Sequence, residues 1–156
     1  MDALLTSLLI WIGSHSAFDI SRVPMPAVIE MTPLQITRQV HRLAGRRAVP
    51  AQADARLFGA YDPAAGAHGT IYVVQAVLAP FADDYPDRLA NPYFHERVLH
   101  ELVHHVQKHT DALTRLPCAA AAEHDAYRLA GIFIRERQLR DPIAHRPSLL
   151  RMLQGC

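Results

Sequence analysis

The chain has 156 residues, half of them hydrophobic and a fifth charged, a composition that suits a globular domain long enough for a real core. Sixteen basic residues against fifteen acidic ones leave a net charge of +1. The basic residues are dispersed, and the densest pairs, Arg46-Arg47 and Arg135/Arg137, read as solvated charge, which excludes the electrostatic footprint of a nucleic-acid binder or of a protein held on an acidic membrane.

The first apolar run, "LLTSLLIWIG", follows an acidic Asp2 rather than a basic segment, and it is too short to span a bilayer, which needs ~20 residues. A buried first helix is expected, capped by Asp2, running to about His15 and carrying Leu4, Leu5, Leu8, Leu9 and Ile12 on one face. Without a leader the expectation is a cytoplasmic protein; a leader removed from a longer precursor would make it periplasmic or exported. The two cysteines, Cys118 and Cys156, form no Cys-x-x-Cys pair. They close a disulfide in an oxidising compartment and stay free thiols otherwise.

Next comes a β-like run, "PAVIEM", and then a capping box in "TPLQ". Thr32 caps, Pro33 takes the first helical position, Gln35 reaches back, and Gly45 stops the helix. "ARLFGAYD" and "GTIYVVQAVL" read as an antiparallel hairpin across "PAAGAHG". "PFADDYPDRLANP" is irregular. Asn91-Pro92 opens a histidine-rich helix with Glu96 near its start and Lys108 near its end. Pro117 starts an alanine-rich helix over about 118–140, stopped by Asp141-Pro142, and "PSLLRMLQ" adds a last turn or two. No linker or repeat interrupts the chain, so 1–156 reads as one domain. The element order predicts an α+β fold with a small, mostly antiparallel sheet packed on helices.

The histidine-rich helix carries four of the ten histidines within residues 95–105. Inside it stands His100-Glu101-Leu102-Val103-His104, the pattern H-E-x-x-H. Residues four apart on a helix project to nearly the same side, so two imidazoles can meet one ion. Glu101 lies ~60° around the helix from His104. It flanks the ion, where a general base for a metal-activated water belongs. Leu99, Leu102, Val103 and Val106 form the apolar flank. An open zinc site needs a third protein ligand. Glu123, nineteen positions after His104 on the next helix, is well spaced for it, and the alanines before it allow two helices to approach closely. His124 and Asp125 also have ligand chemistry.

The pattern H-E-L-V-H, eighteen residues, then Glu, resembles the gluzincin class of zinc metallopeptidases. "EHDAY" at 123–127 is similar to the E-x-x-A motif of small stand-alone gluzincin domains. The resemblance covers about 70–130. It implies a zincin-like fold, one zinc ion held by His100, His104 and Glu123, and Glu101 as base. The E-x-x-A frame favours Glu123 over His124, which stands at a thermolysin-like offset. One departure stands out: thermolysin-like enzymes place an aspartate four residues after the ligand glutamate to orient a histidine, and Tyr127 stands here. The orienting partner is left to Asp111 or a backbone carbonyl.

Tyr127 shares the Glu123 face and is a candidate donor to an oxyanion, with Tyr93, His95 and His105 as others; the plainer reading is the stronger for each, with Tyr127 as core packing, His105 as a solvated neighbour of His104, and His95 as a surface residue. "GTIYVV" is read either as a central strand or as an edge strand that pairs with extended substrate, as the resemblance implies. Residues 83–87 shape a cleft rim or form a solvated acidic loop. The expected activity is zinc-dependent hydrolysis of a peptide or protein substrate. The alternative is a catalytically silent zinc-binding module for regulation or partner binding. Glu101 favours catalysis, since binding alone does not need that carboxylate.

Overall fold

The computed structural model of the protein describes residues 1–45 and 57–154. Arg46-Arg47, and Cys156 of the possible disulfide, lie outside these residues; Cys118 itself is not a free thiol. The fold is α+β. In chain order the elements are helix α1 (Asp2–His15), strand β1 (Ala27–Met31), helix α2 (Pro33–Leu43), strands β2 (Gly59–Asp62) and β3 (Thr70–Val74), and helices α3 (Pro92–His109), α4 (Ala119–Glu136) and α5 (Arg146–Leu153). Short 3-10 turns fill the irregular stretch before α3 and the α3–α4 connection.

The sheet is mixed, which corrects the expectation of mostly antiparallel pairing. β3 is its centre. β2 pairs with it antiparallel, from Gly59↔Val73 to Asp62↔Thr70, as a hairpin should. β1 pairs with it parallel, from Ala27↔Thr70 to Met31↔Val74. Parallel pairing needs a crossover, and the path from β1 through α2 supplies it. "GTIYVV" is therefore the central strand, with a neighbour on each side.

Every residue of β3 is buried, and its alternation divides two cores. Ile71 and Val73 face the large core with α1, α3 and α4. Tyr72 and Val74 face a smaller core with Ile36 of α2 and Ala60 of β2. The sheet thus lies between α2 and the other helices. Leu5, Leu8, Leu9 and Ile12 of α1 are buried in the large core. Among the described residues no helix is long and apolar enough to cross a membrane.

The helix ends follow local chemistry, with some corrections. Thr32 and Gln35 make the capping box of α2, and Gly45 follows its last turn with φ 68°, a conformation that glycine adopts without strain. Asp2 lies inside the first turn of α1 rather than capping it; Met1 is the cap residue, with no side-chain bond. α4 starts at Ala119 after Cys118, not at Pro117, and it ends at Glu136, short of 140. Gln138, at φ 55°, turns the chain out of the helix there.

Candidate functional site

α3 sets the site. The Asn91 side chain accepts from the Tyr93 amide at 2.9 Å and Pro92 takes the first turn, which fixes where the helix starts. From that start the helical repeat sends Phe94, Val98, Leu99, Leu102, Val103 and Val106 fully into the core. Another face of the same helix carries Arg97, His100, Glu101, His104 and Lys108 onto a cavity of about 590 Å³. That volume is typical of a small-molecule or peptide site. α4 closes the cavity with Ala122, Glu123 and Tyr127, and β2 with Gly59 and Tyr61.

His100 Nε2 lies 3.3 Å from Glu123 Oε2, and His104 Nε2 lies 3.4 Å from Glu123 Oε1. The donor atoms of the three residues all lie within 4.8 Å of one another, so the group could hold a metal ion. Close packing of α3 and α4 makes this meeting possible. The small residues that allow it are the buried Ala122, Ala126 and Ala130, one per turn of α4. Of the expected "CAAAA" surface, Ala119 is exposed and Ala120 and Ala121 are only half-buried.

Charge at the site is mutually supporting. Burial on its own would raise the Glu123 pKa, but hydrogen bonds from His100 and His104 outweigh it and hold the carboxyl far below the usual range. Burial pulls His104 down, while the Glu123 bond and the charges of Glu101 and Glu123 raise it overall. Glu123 and His104 thus stabilise each other's charged forms, and a cation at this group would take the place of the proton. Glu101, 8 % exposed, has its pKa raised by burial, against the pull of His100 and His104. Gly59 lies against it: a Cβ at position 59 would stand 2.8 Å from both Cγ and Cδ of Glu101 and would overlap its carboxylate oxygen. Tyr127 packs its ring on His100 at 4.5 Å between centroids, and burial, then the charges of Glu123 and Glu101, raise its pKa.

The residue that orients His104 is Gln107, not Asp111. Gln107 is fully buried. Its Oε1 accepts from His104 Nδ1 at 3.0 Å, and its Nε2 donates to the Ala122 carbonyl at 3.1 Å. This fixes the tautomer that leaves Nε2 toward Glu123. Asp111 is exposed, with φ 53°, at the head of the connecting turn. Gln107→Leu should lower metal affinity about 10- to 100-fold, as measured by competition with a chromophoric chelator. An unchanged affinity would remove Gln107 from the role.

Several sequence candidates stand away from the cavity. His105 is not solvated but fully buried. Its Nε2 donates to the Pro24 carbonyl at 2.7 Å, and Tyr61 donates its hydroxyl to His105 Nδ1 at 3.1 Å. Burial holds this imidazole neutral by lowering its pKa to about 4. Its work is to fasten β2 to α3. His95, half-buried, bonds the Leu89 carbonyl. Tyr93 is buried against Phe81. His124 turns toward Gln154, and Asp125 pairs with Arg128 at 3.8 Å. Asp83, Asp84 and Asp87 are exposed and line none of the cavity.

One buried feature had no counterpart in the sequence reading. Arg146 at the start of α5 donates to Glu96 Oε1 at 2.9 Å, to both oxygens of Asp141, and to the Tyr127 carbonyl at 3.0 Å. It ties α5 to α3 and to the turn of α4 that carries Tyr127.

No curated protein and no solved structure matches the chain. The family described as a domain of unknown function, DUF6647, matches residues 1–147, which include both helices of the site. The chain therefore belongs to the DUF6647 family.

Proposed function

We propose that this protein is a zinc-dependent peptidase, with His100, His104 and Glu123 holding the ion and Glu101 serving as general base. One observation carries the reading. The donor atoms of His100, His104 and Glu123 lie within 4.8 Å of one another, with His100 Nε2 and His104 Nε2 at 3.3 and 3.4 Å from the two Glu123 oxygens, close enough to share one ion. Two imidazole nitrogens and one carboxylate suit zinc, and three protein ligands leave a fourth position toward the cavity.

Zinc held there supplies Lewis-acid polarisation of a scissile carbonyl and raises the acidity of water. Glu101 takes a proton from the attacking water and hands it to the leaving amine. Glu101 is suited to that exchange by its place in the cavity wall, one residue from His100 and beside Glu123 and His104. Tyr127, held protonated, donates toward the developing oxyanion from its place beside His100. β3 is paired on both sides, so the substrate-pairing role passes to β2. Among the described residues β2 is an edge of the sheet and borders the cavity, where an extended peptide can add as a further strand.

Metal content after purification without chelator tests the foundation. One zinc per chain is expected, lost in Glu123→Ala and kept in His124→Ala. The opposite pattern would move the ligand role to His124, and absence of stoichiometric metal would end the reading. Zinc retained without cleavage of a mixed peptide library would leave the silent zinc-binding module instead.

A further inference from the structure

Two arginines border one buried carboxylate, and they are satisfied very unequally. Arg146, with its side chain 3 % exposed, spends its guanidinium on Glu96, Asp141 and the Tyr127 carbonyl. Arg97 receives the remainder. Its nearest anion is Glu96 Oε2, 3.5 Å from Nε, and that Nε is buried without a hydrogen bond. Its guanidinium carbon lies over the Phe58 ring, 4.3 Å from the centroid. Phe58 and Arg97 both line the cavity that holds the metal-ligating group. Among the described residues Arg97 thus has only this loose ion pair, and its guanidinium stands over an aromatic ring in the cavity wall. A guanidinium so held is matched by a carboxylate, which takes two parallel hydrogen bonds from it.

Position along α3 says where that carboxylate would lie. Arg97, Glu101, His104 and Lys108 fall within a stripe ~60° wide on the helix face, at 100° per residue. Arg97 stands ~6 Å along the axis from Glu101, at 1.5 Å per residue. An extended peptide advances ~3.3 Å per residue, so the distance spans about two residues. We infer that Arg97 is a specificity-determining residue that receives a substrate carboxylate about two residues from the scissile bond. This rests on the peptidase reading. The carboxylate has two possible sources, an acidic side chain or the free C-terminus of the peptide.

Three matched kinds of N-terminally labelled hexapeptide decide the matter. One is neutral with an amidated C-terminus, one has a free C-terminus, and one is amidated with a single Glu placed in turn at each position. Binding is read by fluorescence anisotropy to zinc-loaded Glu101→Gln protein, which keeps the peptides intact. At least one carboxylate-bearing peptide should bind about tenfold tighter than the neutral one. Which one it is distinguishes a C-terminal pocket from an acidic side-chain pocket. Adding Arg97→Gln should remove the preference, and adding Arg97→Lys should leave a reduced one. Equal binding of all three peptides overturns the inference without requiring any change at position 97. A preference that survives Arg97→Gln overturns it as well. With the wild-type chain, zinc present and cleavage without charge preference would sink the role of Arg97 alone. Absence of both zinc and cleavage would sink the peptidase reading itself.

Discussion

On the peptidase reading, Glu101→Gln should cut peptide hydrolysis about 10²- to 10⁴-fold while leaving zinc in place. Glutamine keeps the size of the side chain and its fit against Gly59, while it removes the negative charge and the ability to accept a proton. General base catalysis by a positioned side chain contributes about 10²- to 10⁴-fold, or roughly 3–5 kcal/mol of barrier. The loss should appear in kcat/KM for any peptide the wild-type chain cleaves. Metal content should not change, because the group that could hold the ion, His100, His104 and Glu123, does not include Glu101. Two results would contradict this. Undiminished cleavage by Glu101→Gln would place the base elsewhere, and loss of zinc would make Glu101 a ligand.

Arg146→Met should be the most destabilising single change outside the hydrophobic core. The side chains of Arg146 and Glu96 are each 3 % exposed, so their pairing is sheltered from solvent screening. Removing the arginine strands a buried carboxylate and frees the Tyr127 carbonyl. Breaking one side of such a pair costs about 3–5 kcal/mol. For a chain of this length that lowers Tm by roughly 6–20 °C. Replacing the pair together, with Glu96→Leu and Arg146→Met, should recover much of the loss, since a buried ion pair is often no better than apolar packing. Urea unfolding of the single and double variants measures both effects. A loss below about 1 kcal/mol in Arg146→Met would show that solvent reaches the network.

Much of the site could be read along the chain because its periodicities are local. His100 and His104 meet because four residues make one helical turn, and the Thr32 capping box works within four positions. Glu123 needed one further fact, that two short-linked helices pack side by side. Gln107 was within reach of the same logic, standing three residues after His104, but a glutamine there has no meaning until Ala122 is known to lie beside it. Tertiary placement decided the rest. The parallel pairing of β1 with β3 depends on a crossover, which no local pattern encodes. His105 looked solvated because its burial comes from Pro24 and Tyr61, distant in sequence. Arg146 and Glu96 carry no signal, because charged residues in a sequence look alike whether they end in water or in each other.

Gly59 has a consequence for the lineage of this chain. A methyl group there would collide with Glu101, so positions 59 and 101 cannot drift independently. A descendant could keep both histidines and Glu123, and so its metal, while a side chain at 59 swings the carboxylate away. Such a copy would still carry H-E-x-x-H in full. On the proposed peptidase reading, the motif would mark ancestry and metal, whereas a bare glycine on a neighbouring strand would mark the copies whose Glu101 keeps its place. An active relative with a bulky residue at that strand position would refute the distinction.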